Sequence, residues 1–232
     1  MSAGGDAGAG GRPAIVPFGD GALLVVLGER IDAVLNRRVH VLAAAVRAAR
    51  SADPRWGAPV PAYASLLVPY DPLAMEQAEA NERLGALAAS AGEDEAVAEV
   101  EGELVEIPVR YGGGDGPDLD EVAARLGLAP EEVIALHAGM TYGVFMLGFA
   151  PGFGYLATLP PALVLPRRAT PRTRVPVGSV AIAGEQTAVY PVATPGGWHL
   201  IGRTDLSVWD PRRDPPALLR PGQRVRFRPV DG

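Results

Sequence analysis

Cysteine is absent, which excludes disulfides, thiolate metal ligands and a cysteine nucleophile together. Lysine is absent as well. All 21 basic residues are arginine, so a Schiff-base amine, a Ser–Lys pair and the lysine of a phosphate-binding P-loop are ruled out. The three histidines, His40, His137 and His199, stand far apart and form no HExxH pair, so no metal site is assigned. No run approaches the roughly 18–20 apolar residues that span a bilayer, and no membrane partner is expected. The opening MSAGGDAGAGG lacks the basic and apolar segments of a secretion signal, so residues 1–12 read as a disordered tail and the protein as cytoplasmic.

What is present is ample core material, 48% hydrophobic in 232 residues, enough for one large domain or two small ones. Charge is uneven. The net charge of −6 resolves into −12 over residues 1–166 and +6 over residues 167–232. A small basic module beside an acidic one suits an anionic small ligand or an acidic partner surface, and no nucleic acid is expected.

Apolar runs at 14–16 and 22–27 flank Phe18-Gly19-Asp20-Gly21, a hairpin signal because Asp-Gly tolerates the positive φ of a tight turn. Ile31, Val34, Leu35, Val39, Leu42 and Val46 recur at helical spacing and predict a helix from Glu29 to about Arg50, with His40 off its apolar stripe. A strand over 62–68, a helix from Pro72 to about Ala89 and a long alternating strand over 97–109 follow. The order β-β-α-β-α-β predicts a small α+β sandwich over residues 13–110 with both helices on one sheet face.

The stretch from Tyr111 to Pro117 reads as a linker, leaving 117–232 as a second domain. Asp118 with Glu121 matches a capping box, and Pro130 with Glu131 and Glu132 opens another short helix ending near His137. Thirteen of the 23 prolines lie in 151–232, so long helices cannot fit there and many short strands predict a β-barrel or compact sandwich.

Three segments carry residue types that a fold does not require. In the first, from His137 to Tyr155, glycines such as Gly152 allow close backbone approach, and Tyr142, Phe153 and Tyr155 offer apolar walls. His137 sits at a helix end, where it serves either as a cap or as a proton carrier. In the second, Pro166 to Ser179, alternation puts Arg168, Arg172 and Arg174 on one side of an extended chain. Either these guanidiniums are solvated or an anion sits among them. In the third, Gln186, Thr187 and Tyr190 supply orienting hydrogen bonds, and Gly196 and Gly197 expose backbone N–H groups beside Trp198.

The stretches EEVIALHAG, LGFAPGFGYL, LPRRATPRTRVPVGSVAIAGEQTAVYP, TPGGWHLIGRT and LLRPGQRVRF resemble, in that order, the family of 5-oxoprolinase B subunits, also known as allophanate hydrolase subunit 1 or the KipI-type kinase inhibitor. The resemblance runs from about Pro117 to Val230, and the N-terminal layout also fits. It implies a small α/β domain followed by a cyclophilin-like β-barrel, an obligate partner in the carboxyltransferase-like C subunit, and an A subunit that completes the reaction. It further implies ATP, with Mg2+, as co-substrate in opening 5-oxoproline to glutamate, the B and C subunits activating the lactam by phosphorylation. On that reading Arg168, Arg172 and Arg203 stabilise charge, and His137 or His199 moves a proton. The remaining substrate- or nucleotide-binding candidates are Tyr142, Gly152, Phe153, Tyr155, Gln186, Thr187, Tyr190, Gly196, Gly197 and Trp198. An Arg that the family carries near Gly143 is missing here. The family also includes regulators of a sensor histidine kinase and members of urea and allophanate pathways.

Overall fold

In the computed structural model, residues 13–93 and 102–231 are described, and they divide between two compact units, one within residues 1–100 and one within 101–232. The expected tail at 1–12 and the start of the strand expected from 97 lie outside the described residues.

In the first unit, β1 (Ala14–Pro17) and β2 (Ala22–Val26) form the expected hairpin, with Gly19 at φ 63° in its turn. The strand expected over 62–68 is itself a hairpin, β3 (Val60–Pro61) and β4 (Ser65–Pro69), and the sheet order is β1-β2-β4-β3, antiparallel throughout. Helix α1 (Ala33–Ala52) starts where the Asp32 carboxylate accepts the Val34 and Leu35 N–H groups, which have no partner inside the helix. Helix α2 (Gln77–Glu93) begins five residues later than the proline suggests, because the Asp71 carboxylate accepts the Leu73 N–H and turns the chain first. Both helices pack on the sheet through one cluster that includes Leu23, Val39, Leu42, Leu66, Val68 and Leu84. Asn36, buried on α1, donates to the carbonyls of Ala62 and Tyr63 and so fixes the helix against the β3–β4 connection.

The second unit is a closed barrel. Its strands are β5 (Leu104–Tyr111), β6 (Thr141–Leu147), β7 (Gly154–Ala157), β9 (Ser179–Ala183), β10 (Gln186–Val189), β12 (His199–Arg203) and β13 (Arg224–Pro229), in the order β10-β7-β6-β13-β5-β12-β9. Only the β5–β13 pair is parallel among these neighbours. A separate two-stranded ribbon, β8 (Arg172–Val175) with β11 (Thr194–Gly196), lies apart from the barrel's hydrogen-bonded ring. Helices α3 (Leu119–Leu126) and α4 (Pro130–Ala138) pack on β12 and β13 respectively.

The boundary expected between 110 and 117 is therefore corrected. The alternating strand predicted to end the first domain is β5, a barrel stave between β13 and β12. Alternation identifies a strand but not the sheet it joins, and the Gly-rich stretch after it is a turn within the barrel unit. There Gly112 and Gly113 take positive φ, and the Gly112 N–H donates to the Ile201 carbonyl at 3.1 Å.

Strand β9 shows why the ribbon exists. Val180 and Ile182 point into the barrel core, while Ala181 and Ala183 point outward into a second cluster with Val175, Tyr190, Trp198 and Leu200. A strand buried on both faces needs a cover on its outer side, and small alanines let the ribbon approach closely.

A fragment beginning at residue 101 is expected to fold cooperatively on its own, whereas one beginning at 117 loses β5 with its fully buried Ile107 and Val109 and opens the ring. Burial of those two side chains contributes about 1.5–3 kcal/mol each. Thermal melts followed by circular dichroism distinguish the fragments, a sigmoidal transition being expected only for the longer.

Candidate functional site

The aromatic and glycine-rich segments meet on the outside of the barrel, around a cavity of about 250 Å³. Phe153, at the end of the β6–β7 turn, is its hub. The Phe153 ring is 2% exposed and makes edge-on contacts with Phe149, Tyr155, Tyr190 and Trp198 at centroid distances of 5.3, 4.9, 5.3 and 5.8 Å. Gly152, at φ 76°, turns the chain into this position, with no space for a side chain against Trp209. Phe149 lies at the mouth, 62% exposed, and is itself held at φ 66°, a conformation that disfavours a bulky residue.

The opposite wall comes from the ribbon and its approaches, through Pro171, Pro195, Gly196 and Gly197. A side chain at Gly196 would collide with the Tyr190 hydroxyl, so glycine there lets the ribbon close on the aromatic floor. Arg167 completes the lining, its guanidinium carbon 6.0 Å from the centroid of the Trp198 ring. Burial raises the phenol pKa of both Tyr155 and Tyr190, and the charge of Arg167 opposes the rise in each.

Of the residues expected at the site, Phe153, Tyr155, Tyr190, Gly196, Gly197 and Trp198 line this cavity. The rest lie elsewhere. Arg168 and Arg172 do share one side, and they do meet an anion, but it is Asp118 of the same chain. Arg168 Nη1 donates to Asp118 Oδ1 at 2.9 Å and Arg172 Nη2 donates to the same oxygen at 2.6 Å. The other oxygen, Oδ2, accepts the Leu200 N–H at 2.7 Å, while the Asp118 N–H donates to the Leu200 carbonyl at 2.9 Å. Asp118 thus stands at the start of α3 without capping it, correcting the expected capping box: its carboxylate faces β12 and the arginines instead. Burial alone would raise this carboxyl's pKa, but the Arg172 and Leu200 hydrogen bonds and both guanidinium charges bring it below the ordinary value.

His137 is fully enclosed in the barrel, stacked on Phe227 at 4.5 Å, and is not a proton carrier at the cavity. Its ring nitrogens are both engaged: Nδ1 lies 2.7 Å from the Tyr111 hydroxyl and Nε2 lies 2.8 Å from Thr187 Oγ1. Thr187 donates its own proton to the Ala181 carbonyl, so its oxygen accepts from Nε2–H, and Tyr111 donates to Nδ1. Tyr142 closes the group by donating to the His137 carbonyl at 2.9 Å. Tyr142 and Thr187 are therefore core residues rather than ligand contacts. Gln186 is buried at the start of β10, and Arg203 donates from Nε to the Val177 carbonyl at 3.1 Å. His199, fully buried on β12, has Nε2 3.0 Å from the Pro166 carbonyl. Sequence reasoning missed Arg167, Pro171 and Pro195. The signal was there in parity, since an extended segment that turns Arg168 toward Asp118 turns Arg167 the other way.

Arg168 and Arg172 are both engaged by Asp118, while Arg168 Nε and Arg172 Nη1 are buried without a hydrogen-bond partner, and among the described residues no group of three His, Asp or Glu side chains is placed to hold a metal ion. Among the described residues, the cavity lining offers one arginine and no carboxylate, which does not suit a magnesium–triphosphate.

Two consequences are measurable. Burial pushes His137 down to about 3, so the folded protein keeps it neutral while the unfolded chain protonates near 6.5. A depressed folded-state value removes stability as pH falls through that window, at up to about 1.4 kcal/mol per pH unit from this group. Urea unfolding between pH 6.5 and 4.5 is expected to show this slope in the wild type and a smaller one in His137→Gln. Asp118→Ala leaves two guanidiniums and the Leu200 N–H without their partner and is expected to cost about 3 kcal/mol, again read from urea midpoints.

The comparisons with known proteins agree with this architecture. Residues 13–219 match the family described as carboxyltransferase domain, subdomain C and D. The chain is 43% identical over 230 residues to the 5-oxoprolinase B subunit of Bacillus subtilis, covering 93% of this chain and 92% of that one. The crystal structure of TTHA0988 is 45% identical with a TM-score of 0.78, covering 91% of this chain but only 40% of the longer solved chain. The urea carboxylase of Kluyveromyces lactis, at 21% identity and a TM-score of 0.74, shares the fold over 94% of this chain and 22% of its own. With that breadth of match, and with the barrel built as the resemblance implied, the chain belongs to the family of 5-oxoprolinase B subunits.

Proposed function

We propose that this chain is the B subunit of a cytoplasmic, ATP-dependent 5-oxoprolinase, which with the C subunit activates 5-oxoproline by phosphorylation so that the A subunit can open the ring to L-glutamate. The observation that carries the reading is the aromatic cavity of about 250 Å³, found in a chain that matches a 5-oxoprolinase B subunit along almost its whole length. Pockets for drug-sized ligands run from about 300 Å³ upward, so this one suits a small ring compound rather than a nucleotide.

A five-membered lactam is flat enough to lie against Trp198 and Tyr155, and walls made of aromatic carbons exclude water from its amide. This chain's part in the reaction is then to bind and orient the lactam. ATP and Mg2+ remain co-substrates of the assembled enzyme, held by groups that the C subunit supplies. The engagement of Arg168 and Arg172 with Asp118 supports that division of labour, which makes the isolated chain inactive.

Reconstitution with the C and A subunits tests the proposal. Wild-type protein is expected to give glutamate and ADP only when 5-oxoproline and all three subunits are present, and no glutamate from the complete mixture would refute it. Trp198→Ala removes a stacking face and is expected to raise KM for 5-oxoproline about tenfold, equivalent to about 1.4 kcal/mol.

A further inference from the structure

Four arginines stand close together in sequence before and within the ribbon, and the structure separates their roles. Arg168 and Arg172 are bound to the buried carboxylate of Asp118, and Arg168 also lies 3.4 Å from Glu121. Arg174 is exposed and is not among the residues that line the cavity. Arg167 is the one of the four that faces the cavity. It lines the cavity, its guanidinium lies over the Trp198 ring, and it has no carboxylate partner among the described residues.

An aromatic face beneath a guanidinium orients the cation without occupying its in-plane N–H donors. Those donors form a fork that matches a carboxylate, and no acidic side chain shares the cavity lining to compete for them. The backbone beside it is well held. The Arg168 N–H donates to the Gly197 carbonyl at 2.8 Å while its side chain is anchored at Asp118, so Arg167 projects from a fixed segment. The influence of its charge on Tyr155 and Tyr190 is consistent with a cation directed at the aromatic floor.

Resting on the reading of the cavity as the lactam site, we infer that Arg167 receives the carboxylate of the substrate while the aromatic walls take its ring, making the cavity selective for small cyclic amides that bear one carboxylate. Arg168 and Arg172 are positioning residues, acting through Asp118 on the segment that carries Arg167. No bond is made or broken at Arg167, so its contribution is to affinity and selectivity.

Kinetics of the three-subunit assembly with Arg167→Gln and Arg167→Lys test the inference, using 5-oxoproline as substrate and its neutral carboxamide as competing inhibitor. Arg167→Gln is expected to raise KM by about ten- to a hundredfold with kcat changed less than about threefold, and to erase the preference for carboxylate over carboxamide. Arg167→Lys is expected to recover part of that preference, because it restores the charge without the fork. An unchanged KM together with an unchanged preference in Arg167→Gln overturns the inference while leaving the proposed activity standing.

Binding to the chain alone, followed by tryptophan fluorescence with 5-oxoproline as the probe, gives an arm independent of turnover. Saturable quenching that Arg167→Gln weakens at least about tenfold supports the inference even if the assembly fails to turn over 5-oxoproline, a failure that would refute only the activity. Quenching equal in both proteins, or absent from both, overturns it.

Discussion

A single buried carboxylate organises the surface on which the cavity is built. Asp118 takes both backbone groups of Leu200, so the chain ahead of α3 is tied to β12, and it binds Arg168 and Arg172, so the long irregular segment before β8 is tied to the same point. Charged groups that leave water carry a desolvation penalty, and this arrangement offsets it with a full set of partners for one anion. From that anchor the ribbon is carried over the small outward-facing residues of β9, where Gly196 lets it settle against Tyr190. Arg167 and Pro171 flank the anchored arginines and reach the cavity by following them.

The barrel interior solves a different problem. Within its hydrocarbon core runs a polar chain, Tyr111 to His137 to Thr187 to the Ala181 carbonyl, in which every donor meets an acceptor. Direction propagates along it. The carbonyl can only accept, which orients Thr187, which in turn fixes the tautomer of His137. The chain links β5, the end of α4, β10 and β9, elements distant in sequence, and such a network specifies one register of the closing strands because a slip by one residue would turn its members outward.

Much of this was legible. Alternating apolar residues marked β5, the spacing of Val39, Leu42 and Val46 marked α1, and dense prolines after residue 150 excluded long helices from the barrel. The aromatic and glycine motifs that line the cavity were also visible, since residues of those types are not required to build strands. The positions that went astray share a cause. His137, Tyr142 and Thr187 looked chemical because they are polar or aromatic, yet each is satisfied by a partner at least five residues away in sequence, and mostly far more. Arg168 and Arg172 were rightly grouped, but their anion lies about fifty residues upstream, and linear order does not reveal which carboxylate will fold back.

Whatever depends on neighbouring residues could be settled from the order of amino acids: strand alternation, helix periodicity, the turns at glycine, the exclusion of cysteine and lysine chemistry, and the residue types from which a small-ligand cavity could be made. Folding in three dimensions was needed to establish which sheet β5 joins, which histidines are buried, and which arginine of a run lines the cavity. The reason is physical. Local conformation follows from forces acting over a turn of chain, whereas burial and ion pairing are settled by competition among all groups that the fold brings together, and a charge left unpaired is known only when every alternative partner has been placed.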